Sequence, residues 1–508
     1  MASNASLSVG VLFGRLTALV AISCLLQIPH AAAGGSSTLD SGGPLAASFD
    51  DAEIVDVDPG EAGSMTCGLQ EALARCIGGA SCILHLRSDT TCSLPARITW
   101  DSSCAFETNG TDDLWIRGGG PSSVLDFANA HAGETAGNTL FDEMLCIEDG
   151  SSNIVISDFT LRHSDSCTSG CTLGYGMGIN VSDRVEDVRV EQMSWISTQL
   201  PTSDLTAPNV FFLRALATGT PAIDHTPKRV SIANNHLSGG SAGVIHMLHC
   251  EDCSISSNVF DFNGVQEDAN PSGTVRAIGI FGGTGYVVTN NVIDLRTDGH
   301  AILRWTSGIL LAQAQGASAL PQERINSGAV ITGNVVRGMR AERHTGILIQ
   351  GYNYASISDN TFSAGVCASD PLKSCSDCSE CGTGECIAAP SKGIWFESTV
   401  IQAGAVGNID NLVTHNTFTR MSPPGCPAAF NLNSGSPLSG KHNSIVGNTF
   451  ELEPATLTGY CGEPSVYSAN LWVGNRVVDV VDGCTAAGEA TPAMSTPEMN
   501  SATPVSPR

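Results

Sequence analysis

Positive side chains are scarce in this sequence, and their grouping is the first feature that could do chemistry. There are 24 Lys and Arg against 50 Asp and Glu, a formal net charge of −26. A short motif of Gly followed by branched apolar residues recurs at GVIHML (243–248), GIFGG (279–283), GILLAQ (308–313), GILIQG (346–351) and GIWFES (393–398). Arg276 lies three places before Gly279, and Arg304 lies four before Gly308. Arg343 and His344 lie three and two before Gly346, and Lys392 immediately precedes Gly393. His300 and Arg340 sit slightly upstream. Aligned on the glycine, these side chains fall on one edge of four successive copies. A cationic strip on an acidic protein suits the carboxylates or sulfates of an acidic polysaccharide. Guanidinium forks fit such oxyanions well. The plainer alternative is a set of salt bridges with Asp294, Asp298, Glu342 and Glu323.

Two chemistries fit these residue types. A β-eliminating lyase must neutralise a uronate carboxylate and remove the proton beside it. Arg or Ca²⁺ serves the first step. Arg, Lys, His or Tyr of lowered pKa serves the second. Arg343, His344 and Lys392 are the candidates for catalysis, and Arg276, His300, Arg304 and Arg340 for holding substrate. Trp395, on the strand after Lys392, is the candidate for stacking on a sugar, with Phe396 beside it. An inverting hydrolase would instead need two carboxylates ~6.5–9.5 Å apart across a water. Glu267-Asp268 is an isolated acidic pair and reads as solvated.

The elements that must position these groups are legible from a second repeat. Eight octets superpose without gaps: VSIANNHL (230–237), CSISSNVF (253–260), YVVTNNVI (286–293), AVITGNVV (329–336), ASISDNTF (355–362), NLVTHNTF (411–418), NSIVGNTF (443–450) and NLWVGNRV (470–477). The sixth place is always Asn: Asn235, Asn258, Asn291, Asn334, Asn360, Asn416, Asn448 and Asn475. The third and eighth places are always apolar. Two weaker copies, IVISDFTL (154–161) and VRVEQMSW (188–195), carry Phe159 and Met193 at the Asn place. The third residue of a short strand would enter a core, and Asn would turn the chain because it tolerates the left-handed conformation. Stacked ~4.8 Å apart, the amides would form a ladder inside the wall. The next strand begins at the eighth place. With the Gly motif between octets, each coil carries two strand registers. This is a solenoid of parallel strands. No Leu-x-x-Leu-x-Leu frame runs through the chain, which excludes a leucine-rich solenoid.

With these repeats, residues 50–482 resemble the right-handed parallel β-helix family, the pectin-lyase-like fold. The resemblance implies an all-β, single-stranded, right-handed parallel β-helix of about 10–11 coils with a short N-terminal capping helix. TCGLQEALARCI (66–77) looks like that cap, with Leu69, Ala72, Leu73 and Ile77 on one face. CILHL (82–86) and ARITWD (96–101) look like the first strands. Within the family the chain lacks the Asn-Thr-Asp, Asp-Asp and Gly-His-Gly succession of polygalacturonases. It also lacks the Arg-x-x-Arg-x-Pro-x-x-Arg of pectate lyases, the Asp-Pro-His of alginate epimerases and a regular Ca²⁺-binding nonapeptide.

Composition bounds the rest. Charged residues are 15% and Gly is 55 of 508, against usual values of about 25% and about 7%. That suits a turn-rich β protein. The acidity excludes a bare nucleic-acid binder, and 42% hydrophobic content excludes disorder throughout. Residues 16–28 form an apolar run behind Arg15, followed by Ala31-Ala32-Ala33, so 1–33 reads as a secretory signal peptide. Cleavage there removes Arg15 and Cys24, leaving 18 of the 19 cysteines and a charge of −27. An even count suits complete disulfide pairing in a secreted chain.

Residues 34–49 read as a flexible segment, 50–482 as the β-helix domain with 50–110 as its entry, and 483–508 as a disordered Thr/Pro-rich tail. A Cys-rich insertion spans 364–392, where Cys375, Cys378, Cys381 and Cys386 are spaced like a metal or iron–sulfur run but are expected to be disulfide-bonded. Cys250-x-x-Cys253 and Cys167-x3-Cys171 would staple turns. Asn109 and Asn180 lie in N-glycosylation sequons. No metal site or cofactor is identified, and Ca²⁺ stays open without a motif to support it. The chain reads as a secreted monomer, extracellular or in a cell wall, with no membrane span. It would bind or act on an acidic polysaccharide, as a lyase or glycoside hydrolase if it is catalytic. The competing reading is a non-catalytic structural or adhesion protein of the cell surface.

Overall fold

The chain was analysed as a computed structural model. It describes residues 49–58, 68–76, 81–93, 104–126 without 109, 142–164 without 149, 176–198 without 183, 210–216, 226–239, 244–262, 274–296 and 305–312. It further describes 326–341, 344–375, 378–382, 385–389, 391–397, 410–421, 430–432, 442–452, 460–462 and 470–479. Met1–Ala47 and Ser48–Arg508 form two separate units, and every described residue lies in the second. The signal-peptide segment, the tail from 483, the 96–101 strand, Cys167, Cys171 and the Glu267-Asp268 pair lie outside the described residues.

Three long sheets of 13, 11 and 12 strands run the length of this unit, and every pairing within them is parallel. In each, neighbours come from successive turns of the chain. This is a right-handed parallel β-helix, as the repeats imply. The octets supply two of the sheets. Place three lies in the 13-stranded sheet, here the Asn sheet, where Ile232, Ile255, Val288 and Ile331 stack in register. Place eight lies in the 12-stranded sheet, where Leu237, Phe260, Ile293 and Val336 stack. Both columns are fully buried in one continuous core. Phe362, Phe418 and Phe450 continue the second column as a ring stack, with centroids 5.1 and 4.9 Å apart.

Between these sheets the Asn ladder closes the corner. Asn258 Nδ2 donates to Asn291 Oδ1 at 3.0 Å and to the Ile232 carbonyl at 2.9 Å, and its backbone N–H donates to Asn291 Oδ1 at 2.9 Å. The pattern repeats from Asn235 to Asn475. Each amide thus satisfies buried donors and acceptors of both neighbouring coils, which stops the turn from burying unpaired backbone groups. The expected left-handed residue is displaced by one place. Positive φ belongs to place five, at Asn234, Ser257, Asn290, Asp359 and His415, not to the ladder Asn. The physical reason is direction: the preceding residue makes the bend, so that the next side chain can point inward. A second ladder, Asn411–Asn443–Asn470, caps the start of the last three octets with Nδ2···Oδ1 contacts of 2.9 and 3.0 Å.

The Gly motifs form the 11-stranded sheet, here the Gly sheet, with strands such as Thr274–Phe281, Trp305–Ala312, His344–Gln350 and Lys392–Glu397. Pairing skips one residue per strand, Ala277, Gly308, Gly346 and Gly393, so two consecutive residues turn toward the core. At Gly346 an added Cβ would lie 2.3 Å from Phe362 Cδ1 and 2.6 Å from the Gly393 carbonyl. The motif's glycine is therefore a packing requirement of the aromatic stack.

The entry is closed by helix α1, Leu69–Arg75, which buries Leu69, Ala72 and Leu73 as its apolar face predicts. Cys76–Cys82 and Cys104–Cys146 bridge the first coils, and Cys250–Cys253 staples a turn. In the insertion, Val366–Cys367, Asp370–Ser374 and Cys386–Ile387 make a small antiparallel sheet. The disulfides Cys367–Cys381 and Cys375–Cys386 interlock it. These thiols are consumed as disulfides rather than held for a metal. Five such bridges suit an oxidising environment. Among the described residues, no helix is long and apolar enough to cross a membrane.

Candidate functional site

On the outward face of the Gly sheet the residue type varies along the coils. One register column reads Asn180, Arg214, His246, Gly279, Leu310, Leu348, Trp395. Its neighbours on either side in sequence, such as Ile309 and Leu311, belong to the main core, so alternation points the column itself outward. A second outward column reads Arg276, Ser307, Thr345, Lys392.

Arg214, His246 and Arg276 come from three successive strands, Val210–Leu216, Ile245–Leu248 and Thr274–Phe281. Strand spacing puts neighbouring backbones only ~4.8 Å apart. The His246 ring meets the Phe281 ring edge at a centroid distance of 4.6 Å. The Arg276 guanidinium lies 5.2 Å from the centroid of the same ring. Gly279 faces this convergence, and a Cβ there would stand 3.0 Å from Phe281. Both imidazole nitrogens of His246 are covered, and the residue as a whole is half-buried. Burial pushes its pKa down to about 3, and the Arg214 and Arg276 charges push the same way. Burial also lowers Arg276 to about 10, which leaves it cationic at neutral pH. Among the described residues its Nε has no hydrogen-bond partner. The cluster is therefore a neutral base between two cations, an arrangement that favours an anion.

Further along the face Leu310, Ala312, Leu348 and Trp395 form a small apolar cluster outside the main core, with Phe281 against it. Lys392 Nζ stands 3.9 Å from the centroid of the Trp395 ring. Gln350 donates to Glu397 one coil on.

The expected residues divide accordingly. Arg276, Lys392 and Trp395 lie on this outward face. His344 does not: it precedes Thr345 on the strand, pairs with Thr306 and is fully buried. Its Nδ1 accepts the Arg340 N–H at 3.2 Å, and burial, then the Arg340 charge, push its pKa down to about 3. Arg340 is 4% exposed. Arg343, His300, Arg304 and Asn109 lie outside the described residues. Asn180 is 6% exposed in the strand Gly176–Val181, directly beside Arg214, where a glycan would have to displace packed protein. Asp294, expected as a salt-bridge partner of the strip, instead binds Arg296 and, at 3.0 Å, Arg337.

Arg214 and His246 went unnoticed in sequence. His246 stands inside the GVIHML motif at an outward place within the strand, whereas the cations that flank the other motifs precede the glycine. Arg214 lies in FFLRAL, which lacks the motif's glycine.

No family model matches the chain, and no curated protein matches it in sequence. Several solved structures are similar. The A-module of a mannuronan C-5 epimerase from Azotobacter vinelandii is 14% identical, covering 83% of this chain and 99% of that one, with a TM-score of 0.45. The catalytic unit of an α-1,3-glucanase from Streptomyces thermodiastaticus is 14% identical over 88% and 70%, with a TM-score of 0.44. DFA-IIIase from Arthrobacter chlorophenolicus is 13% identical over 89% and 99%, with a TM-score of 0.44. At such identities the fold rests on the chain's own three parallel sheets.

Proposed function

We propose that this chain is a secreted protein that binds an acidic extracellular polysaccharide along the outward face of the Gly sheet and cleaves it by β-elimination. The observation that carries the reading is the neutral His246 between Arg214 and Arg276 on three successive coils. Two guanidinium groups suit one carboxylate, by charge and by fork geometry. Their charge also acidifies the carbon beside that carboxylate, because it stabilises the enolate formed when the proton leaves. The imidazole can receive that proton once a bound uronate offsets the two arginine charges that, with burial, hold its pKa low. The electron pair then forms the new C=C bond as the glycosidic oxygen leaves at the next carbon. Lys392 lies further along the same face and would contact a neighbouring sugar, while Trp395, 5% exposed against the lysine, would hold that side chain in place and not stack on the glycan. Five disulfides support the extracellular placement.

The covering of both His246 nitrogens favours a second reading, in which the face holds the glycan without turning it over. A panel of acidic polysaccharides separates the two, read by ultraviolet absorbance of unsaturated uronate and by binding. Arg214→Ala and Arg276→Ala should each weaken binding about 10- to 100-fold, equivalent to roughly 1.4–2.7 kcal/mol. His246→Gln should abolish turnover while leaving binding within about threefold. Binding without absorbance change on every polymer sinks the lyase reading. Absence of both sinks the polysaccharide reading itself.

A further inference from the structure

The outward face of the Asn sheet carries a different signal. Its outward side chains form two ranks, such as Ser254 and Ser256 on one strand and Val287 and Thr289 on the next. In the early coils these ranks hold charge: Arg117 in one strand, Arg189 and Glu191 in another. From Ser231 to Val473 the two ranks contain only Ser, Thr, Ala, Val and Leu, on a chain of formal charge −26. Val287 is 40% exposed, Val330 39%, Leu412 42%, Leu471 55% and Val473 44%, five of the nine large apolar exposures among the described residues. Aromatic residues, which a sugar would need for stacking, are missing from these ranks.

We propose that this face pairs with the same face of a second copy of the chain. Like charges oppose contact between two such acidic chains, and the neutral strip is where they meet with the least of that cost. The shapes are self-complementary as well. Along one rank the coils read Val287, Val330, Ser356, Leu412, Ser444, Leu471. A two-fold axis between the strands of Ser356 and Leu412 sets Ser356 against Leu412 of the other copy and Val330 against its Ser444. Val287 then meets its Leu471 at the rim. Large residues therefore mostly face small ones, as an isologous sheet-on-sheet contact requires. Six coils at ~4.8 Å by a three-residue width give about 300 Å² per copy. A standard interface uses ~800 Å² a side, so the pair is weak and forms at high local concentration. The sequence suggested a monomer, and this pairing departs from it.

Sedimentation velocity on the full chain from about 10 µM to about 1 mM tests the pairing. A dimer should accumulate with concentration, and on the order of tenfold more tightly in about 1 M than in about 0.01 M salt, where the Debye length grows from ~3 to ~30 Å. Leu412→Asp should abolish it, whereas Val259→Asp, on the third sheet, should not. Ser356→Leu alone should weaken the dimer by opposing two leucines. Ser356→Leu combined with Leu412→Ser should restore it, because the exchange keeps large against small. All these side chains are on the surface, and unchanged thermal melting would show that the variants fold. A monomer at every concentration and salt overturns the proposal. So does a dimer that survives Leu412→Asp, or a double variant no better than Ser356→Leu. Retention on an insoluble neutral polymer, lost in Leu412→Asp and without a dimer, would assign the face to another occupant and equally overturn it.

Discussion

The inner Asn ladder and the outward face of the Gly sheet are built on the same coils by opposite rules. The ladder repeats one residue from Asn235 to Asn475, each amide in the same three hydrogen bonds. The outward column changes at nearly every coil, from Asn180 through Arg214 and His246 to Trp395, with only Leu310 and Leu348 alike. Repetition follows from mechanics: a solenoid is stable when each coil offers its neighbours the same surface. An outward face is released from that demand and can differ coil by coil. In this fold, sameness marks the wall and difference marks where a ligand would be read.

The largest effect should come from breaking the repeat at its centre. Asn334 Nδ2 donates to Asn360 Oδ1 and to the Val288 carbonyl, while its own Oδ1 accepts from Asn291. Asn334→Ala leaves several buried polar groups unsatisfied on two coils at once. Each costs about 1–3 kcal/mol, so a loss of about 3–5 kcal/mol is expected in urea denaturation. A loss below about 1 kcal/mol would show that the ladder does not hold the coils together. Gly346→Ala should come next. It drives a methyl group against Phe362 and the Gly393 carbonyl, and overpacking of this kind costs about 1–3 kcal/mol. Since the glycine sits beneath the outward residue Thr345, the same variant shows whether strain in the wall reaches the face. Glycan binding should be unchanged if the two regions are independent.

Legibility in the sequence followed the same division. The ladder and the Gly motif recur at fixed places, so the fold and its core columns could be read from spacing. The bend was read one residue late, because Asn is common in turns and here occupies both places five and six in VSIANNHL and YVVTNNVI. The second ladder was visible as Asn at place one of the last three octets but had no earlier copies to announce it. The outward cluster was legible only in part. Arg276 and Lys392 were found because they flank the motif, whereas Arg214 and His246 lie within strands and do not repeat. His344 was selected by its spacing, but it stands two places before its glycine and Lys392 one, so strand alternation sets the two side chains on opposite sides of the sheet.

At neutral pH the smallest effect belongs to two histidines on opposite sides of one sheet, whose contribution changes only as the pH falls. His344 faces the interior and His246 faces outward, and both are held near pKa 3 against an ordinary 6.5, first by burial. A depressed histidine contributes no pH dependence above about 6.5, where folded and unfolded chains are both neutral there. As the pH falls from 6.5 toward 3 the unfolded chain takes up a proton that the folded chain refuses. Stability therefore declines through this window, by at most about 1.4 kcal/mol per pH unit for each histidine, and levels off below it. His344 should approach that limit because it is fully buried. His246 is half-buried as a residue and owes part of its shift to the Arg214 and Arg276 charges, which salt screens, so it should fall short of the limit at moderate ionic strength. His344→Asn, whose side-chain oxygen can still accept the Arg340 N–H, should flatten the acid limb of stability between pH 6.5 and 4 more than His246→Gln does. Arg214→Gln adds a sharper contrast, since it removes one of the charges acting on His246 and none of those acting on His344. In an NMR titration it should raise the His246 pKa and leave His344 unmoved. Equal flattening by both histidine variants, or a His246 pKa indifferent to Arg214, would mean that the outward cluster is packed like the core and is not electrostatically poised for an anion.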